Sequence, residues 1–191
     1  MKFICPNNTS SLIDYILKNY IKNDMIIADM TLGNGYDSCN ILSYLNGTGF
    51  LYALDIQDLA INKSMENLKK INYNNYKLIK DSHINFDKYI KEEIDLAIFN
   101  LGYLPCGDKS ITTKSEDVLI CIEKLLVKLK NNGLVLLTLY PGHKNGADEK
   151  EYLEKYFKIL NQKNFNVLKY DFINQKNNPP YVIMIEKKGD K

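Results

Sequence analysis

The sequence predicts an α/β protein with a Rossmann-like, mostly parallel seven-stranded sheet that finishes in an antiparallel hairpin. Three observations predict it. Five short apolar stretches, MIIADMT, GFLYALD, YKLIK, IDLAIFN and GLVLLTLY, fit strands and alternate with helical stretches. Two further strands, FNVLKYDFI and PYVIMIEK, are separated only by the polar NQKNNP. A strand pair joined by so short a loop must run antiparallel. No internal repeat, linker or low-complexity block interrupts the 191 residues, so residues 1–191 read as one domain.

Each helix is legible from its apolar spacing. Residues 9–22 place Leu12, Ile13, Ile16, Leu17, Tyr20 and Ile21 on one stripe, with Thr9, Ser10 or Ser11 as the cap. YDSCNILSYL follows the first strand as a helix. A third helix is expected over 57–71, with Ile61, Met65 and Leu68 facing inward. A fourth covers about 115–130, where Val118, Leu119, Ile122, Leu125, Leu126 and Leu129 recur at helical spacing. A fifth covers about 148–162.

Composition narrows the function less than the pattern does. Hydrophobic residues make up 45%, enough for a sizeable core, and the formal net charge of +2 points to no particular partner. All 25 basic residues are Lys, so phosphate contacts would use point charges and backbone N–H groups, without the Arg fork. Cys5, Cys39, Cys106 and Cys121 form no C-x-x-C pair, and with only His83 and His143 beside them no metal site is expected. No apolar run reaches the ~20 residues of a membrane span, and MKFICPNNTS has no apolar run long enough for a signal peptide, so none is expected. A reduced cytoplasmic protein is expected.

Ligands of such sheets bind outside the carboxyl ends of the strands. The first strand runs into ADMTLGNGYDS, where Gly33, Asn34 and Gly35 can bring backbone close to a ligand or simply form the strand–helix turn. The dinucleotide fingerprint needs a third glycine at position 38, which is Ser, and this counts against NAD and FAD. Acidic Asp29 and Asp37 flank the loop and no Lys does, which argues against a phosphate cradle. Such carboxylates suit the amino group of a methionine-derived methyl donor. Asp55 ends the second strand 20 residues after Gly35, where a carboxylate can accept from both ribose hydroxyls. Gln57 can reach the same ribose or the adenine. After the third strand, Asp81, Ser82 and His83 can meet the adenine edge, or form a turn cap with a surface histidine beside it.

The combination of ADMTLGNGYDS, ALDIQ, KDSH, FNLGYLPCGDKSITT, LYPGHKNGADE and NQKNNPPYVIMIEK resembles a known family. These are small class I methyltransferases once described as rRNA methylases and now assigned as tRNA 5-(aminomethyl)uridine methyltransferases (the MnmM family). The likeness extends from about residue 27 to 187. It implies S-adenosyl-L-methionine as donor, a wobble uridine in the tRNA anticodon loop as acceptor, and 5-methylaminomethyl-(2-thio)uridine as product. Thr31 stands where many methyltransferases have Gly, a change this family tolerates. Tyr36 stands where the family more often has His.

The chemistry then assigns roles. An amine acceptor must be held as the free base with its lone pair aimed at the methyl group. Asn100, with the Leu101 carbonyl, can accept the two N–H hydrogens, and Tyr103 can stack on the uracil. This resembles the [DN]PP[YF] motif of amino-methylating enzymes, with Leu-Gly in place of Pro-Pro; a plain turn is the other reading of Asn100. His143 can accept a proton or position substrate. Lys109 and Lys144 can meet phosphates. Thr112, Tyr140 and Gln175 lie in the matching stretches and are expected on the RNA side, with Asn177 and Pro179-Pro180 in the hairpin loop. A wobble base can be splayed out without a separate RNA-binding domain, and a homodimer would pool basic surface. An rRNA or small-molecule acceptor, or a non-catalytic RNA-binding module, are the competing readings.

Overall fold

The computed structural model describes residues 5–102, 114–141 and 144–189, and only the backbone of 144–150. The chain opens on α1 (Thr9–Tyr20), then β1 (Ile26–Asp29), α2 (Tyr36–Leu45), β2 (Phe50–Asp55) and α3 (Asp58–Leu68). It continues through β3 (Tyr76–Lys80), a short 3-10 helix (His83–Lys88), β4 (Ile94–Leu101), α4 (Ser115–Lys128) and β5 (Leu129–Leu139). It closes with α5 (Lys144–Ile159), β6 (Phe165–Tyr170) and β7 (Tyr181–Lys187).

All seven strands join one sheet in the order β3-β2-β1-β4-β5-β7-β6. The first five are parallel, and β7 runs antiparallel to both β5 and β6. The expected fold class is therefore the observed one. The hairpin folds back so that its second strand lies inside. Tyr181, Val182, Ile183 and Ile185 of β7 are buried, whereas β6 exposes Asn166, Val167, Leu168 and Lys169 at the sheet edge.

Alternate residues of each strand feed two cores, because strand side chains point to opposite faces in turn. On one face α1, α2 and α3 pack on Ile27, Leu51, Ala53, Leu96, Ile98, Leu134 and Leu136. On the other, α4, α5 and the 3-10 helix pack on Ala28, Leu54, Ala97, Phe99, Val135, Leu137 and Ile183.

Four local expectations need correction. The cap of α1 is Asn8, whose side chain accepts from the Ser11 N–H at 2.8 Å, while Ser11 Oγ accepts from the Asn8 N–H at 3.2 Å. This capping box uses Ser11 at the third helical position and leaves Thr9 buried. On α3 Leu68 is buried and Ile61 packs against the core as expected, but Met65 is 38% exposed, and the small Ala60 and Ser64 complete the buried face where the neighbouring loop approaches. β5 begins at Leu129, four residues before GLVLLTLY, since that residue is already extended after α4. Asn132 takes a left-handed φ of 64° there, and the β4–β5 register shifts between Ile94 and Leu96. The Tyr20 hydroxyl donates to the Asp95 carbonyl at 3.1 Å and the Asn132 carbonyl at 2.7 Å, satisfying groups that the irregular ladder frees. Finally, α5 starts four residues before position 148, at Lys144.

Candidate active site

The carboxyl ends of β1, β2, β3 and β4 sit side by side, so the loops that follow them share one edge of the sheet. The loop after β1 is tied down along its length. Met30 N–H donates to the Ile98 carbonyl, Leu32 N–H to the Leu54 carbonyl and Gly35 N–H to the Leu32 carbonyl, each within 2.8–2.9 Å. Gly33 and Gly35 take left-handed φ of 52° and 77°. A Cβ on Gly35 would lie 2.7 Å from Ser64 Cβ, so glycine here lets the start of α2 press against α3. The Asn34 carbonyl accepts from the Asn67 side chain at 3.0 Å.

Asp29 lies beneath this loop, buried to 2% exposure. Ser38 Oγ donates to one carboxylate oxygen at 2.7 Å and the Thr31 N–H to the other at 3.2 Å. Burial, and then the charge of Asp37, push its pKa up to about 7. Asp29 thus anchors the loop from below. Burial also raises the Asp37 carboxyl above its ordinary range, against the pull of a hydrogen bond from the Asn100 side chain.

Asp55 has a different setting. One of its oxygens accepts from the Gly33 N–H at 3.0 Å and the other from the Gln57 N–H at 2.9 Å. A carboxylate oxygen has two lone-pair sites, so each keeps one for a diol. Ile56, next in sequence, is 50% exposed and offers an apolar face beside that diol site.

The segment after β3 is built mainly on itself. Asp81 accepts from Ser82 N–H at 2.7 Å, Asn85 Nδ2 at 2.8 Å and the Tyr89 hydroxyl at 2.7 Å. The Asn85 and Tyr89 bonds hold its carboxyl below the usual range. Ser82 caps the 3-10 helix through its bond from the Ile84 N–H at 3.4 Å. His83 stands edge-on to Phe99, with ring centroids 5.8 Å apart, and its buried Nε2 has no hydrogen-bond partner among the described residues. Burial lowers its pKa and so favours the neutral ring, against the opposing charge of Asp117.

Asn100 is exposed near the end of β4, whose Phe99 and Leu101 on either side of it are buried. Its N–H donates to Thr31 Oγ1 at 2.6 Å, and its carbonyl accepts from the Gly102 N–H at 3.0 Å. Its side-chain amide pulls down the pKa of both the Asp37 carboxyl and the Tyr140 phenol against the effect of burial. The Tyr140 ring lies 3.5 Å from where a Gly102 Cβ would be, closing over the turn. Burial, followed by the Asp37 charge, raises the Tyr140 pKa. One chain of contacts therefore links the first loop, the end of β4 and the end of β5.

Tyr103, Lys109, Thr112 and His143 lie outside the described residues, as does the side chain of Lys144. Gln175 sits in the β6–β7 loop, where its Nε2 donates to the Asn7 carbonyl at 3.2 Å. That loop borders a cleft of about 250 Å³ beside Pro141, lined also by Phe172, Ile173, Asn177 and Asn178. Sequence reading missed Thr31 as a partner of Asn100, Ile56 as an exposed apolar face, and Asn85 and Tyr89 as holders of Asp81. A strand-end apolar residue directly after Asp55 was a readable signal for Ile56. Nothing local signals the Thr31–Asn100 bond, which joins residues 69 positions apart.

Comparisons with known proteins extend these observations. The family model described as "Putative rRNA methylase" matches residues 51–186. The chain is 31% identical over 179 residues to the "tRNA (mnm(5)s(2)U34)-methyltransferase, chloroplastic" of Arabidopsis thaliana, covering 88% of this chain and 65% of that protein. It is 38% identical over 86 residues to the ribosomal RNA small subunit methyltransferase H of Mycoplasma mycoides, covering 43% of this chain and 28% of that one. Thus the chain spans just under two thirds of the first relative and less than a third of the second. A solved "putative rRNA-methylase" from Clostridium thermocellum superposes with a TM-score of 0.91 at 38% identity, covering 97% of this chain and all of that one. A "putative methyltransferase" from Streptococcus mutans, solved in complex with SAH, gives 0.85 at 34% identity, covering 96% and 99%.

Proposed function

This chain belongs to the "Putative rRNA methylase" family, and on that premise we propose that it methylates the aminomethyl nitrogen of 5-aminomethyl-(2-thio)uridine at the tRNA wobble position. It is an S-adenosylmethionine-dependent methyltransferase, in keeping with the neighbour solved with SAH. The tRNA acceptor is supported by the chloroplast relative, which is named for that nucleoside. We take residues 1–191 to act as one domain.

The donor fits the residues present. It carries a ribose diol and two positive centres, the sulfonium and the α-amino group. Asp55 offers one lone pair on each oxygen for the diol. Asp29, Asp37 and Asp55 gather negative charge around a loop that has no Lys, and burial leaves the first two with raised pKa values that a bound cation would relieve. When bound, the donor supplies an already activated methyl group. Gly33 and Gly35 bring the loop backbone close, and Ile56 covers an apolar face.

The single observation that carries the acceptor assignment is Asn100, exposed at the end of β4 and bonded to Thr31 of the donor loop at 2.6 Å. An amide oxygen there accepts N–H hydrogens and turns the amine lone pair to the methyl group. The lone pair forms the N–C bond as the C–S bond breaks, and the electron pair of that bond stays on sulfur. Asn100 cannot take the amine's extra proton, which leaves to water or to His143, the proton acceptor the sequence offers.

Nucleoside mass spectrometry of tRNA incubated with enzyme and donor tests this reading. Transcripts bearing the aminomethyl precursor should gain one methyl, and unmodified transcripts none. Methylation of rRNA with no gain on the precursor tRNA would overturn it.

A further inference from the structure

We propose that Thr31 is a positioning residue for the acceptor: its side-chain hydroxyl, in place of a main-chain carbonyl, holds the backbone N–H of Asn100 and so sets where the end of β4 stands against the donor loop. The proposal rests on the amine-methylation reading and gives Thr31 a role in turnover apart from donor binding.

β1 and β4 pair in parallel register, Ile27 with Leu96, Ala28 with Ala97 and Asp29 with Ile98. The rungs of a parallel ladder are evenly spaced, so each predicts the next. The Met30 N–H makes one more, donating to the Ile98 carbonyl at 2.9 Å. A continuing ladder would then send the Asn100 N–H to the Met30 carbonyl. It goes instead to Thr31 Oγ1 at 2.6 Å, and the paired register ends at Asp29 and Ile98. A side chain has replaced a rung.

The replacement falls at a particular place. The strand order β3-β2-β1-β4-β5 reverses direction between β1 and β4. Ligands of open α/β sheets bind in the crevice beyond that reversal. A rung closed through Met30 would continue the strand pairing into the crevice. The Thr31 hydroxyl ends the pairing and still satisfies the Asn100 N–H. Thr31 is itself anchored, since its N–H donates to Asp29 at 3.2 Å and Asp29 accepts from Ser38 Oγ of α2 at 2.7 Å. One unbroken run of bonds therefore passes from α2 through Asp29 and Thr31 to Asn100. Threonine is β-branched and restricted at χ1, which keeps the hydroxyl aimed in one direction. The Asn100 carbonyl accepts from the Gly102 N–H at 3.0 Å, so both backbone groups of this exposed residue are fixed.

Position matters because an in-line displacement tolerates little misplacement, and an error of about 1 Å can cost roughly a hundredfold in rate. Without the hydroxyl, the Asn100 N–H either loses its partner or closes the rung through Met30. Both outcomes change where Asn100 stands. Neither touches Asp55 and its bonds from Gly33 and Gln57, which serve the donor.

The test compares wild type with Thr31→Val, which keeps the branched shape and removes the acceptor, and with Thr31→Ser, which keeps the acceptor. Affinity for S-adenosylhomocysteine is measured by calorimetry, and kcat on precursor-bearing tRNA is measured at saturating donor. For Thr31→Val we expect kcat to fall by at least about tenfold while donor affinity stays within about threefold of wild type. Thr31→Ser should recover most of the lost turnover. A smaller fall in Thr31→Val, a defect confined to donor affinity, or an equal loss in Thr31→Ser would each overturn the proposal. Should Thr31→Val fail to fold, Thr31→Ala, which also lacks the acceptor, carries the same expectations. If wild type does not methylate the tRNA, the substrate reading fails, and the Asn100 backbone amide proton in NMR spectra decides whether Thr31 holds the end of β4. Its chemical shift should change in Thr31→Val and stay near the wild-type value in Thr31→Ser, and an unchanged resonance in Thr31→Val would overturn the proposal.

Discussion

Asp55 and Asn100 meet different halves of the proposed reaction, and their substitutions should separate cleanly. Asp55 organises two backbone N–H groups and keeps lone pairs for a diol. Charge-assisted hydrogen bonds of this kind contribute about 1.5–3 kcal/mol each. Asp55→Ala is therefore expected to weaken donor binding by about 3 kcal/mol, roughly a hundredfold, in calorimetry. Asn100 is bonded to Thr31 of the donor loop through its backbone N–H, which any residue retains. Asn100→Ala is expected to keep donor affinity within about threefold yet lose kcat by about a hundredfold, the usual size for an oriented polar group acting in the transition state. Unchanged turnover in that variant would remove Asn100 from the mechanism.

At the scale of elements, the active edge depends on how closely α2 and α3 approach. Gly35 has a φ of 77°, and an added Cβ would meet Ser64 Cβ at 2.7 Å. A left-handed conformation costs an L-residue about 1–2 kcal/mol, and overpacking a further 1–3. Gly35→Ala should thus destabilise the protein by about 2–4 kcal/mol and lower Tm by roughly 5–15 °C in calorimetric melting. It should also weaken donor binding, because Gly33 and Asp55 belong to the same bonded loop. A melt that matches wild type would show that α3 gives way easily at Ser64.

For the molecule as a whole, the buried carboxyl of Asp29 ties stability to pH. Its folded pKa stands near 7, above the ordinary value of 3.8. The folded state then holds a proton that the unfolded chain releases, so stability declines as pH rises through this window and levels off above it. Ligand-free wild type should lose Tm between about pH 4 and 7 through this group, and Asp29→Asn should flatten the decline. Scanning calorimetry at pH 5, 6, 7 and 8 checks this, and equal slopes in the two proteins would rule Asp29 out. Asp37 and Asp55 add to the same repulsion, which a bound cation would relieve.

The sequence by itself determined the α/β class, the parallel run of five strands and the position of most helices. Apolar spacing and short polar loops depend only on neighbours along the chain. It also singled out Asp55 and Asn100 as candidates, because each stands where an apolar strand gives way to polar residues. Only the tertiary structure decided that β7 lies between β5 and β6, that Asn8 caps α1, and that Ser64 rather than Met65 faces the donor loop. It alone joined Asn100 to Thr31 and set the Tyr140 ring against Gly102. Those residues come from three separate elements, and a hydrogen bond between elements is set by how strands stack side by side. Local periodicity carries no record of that geometry.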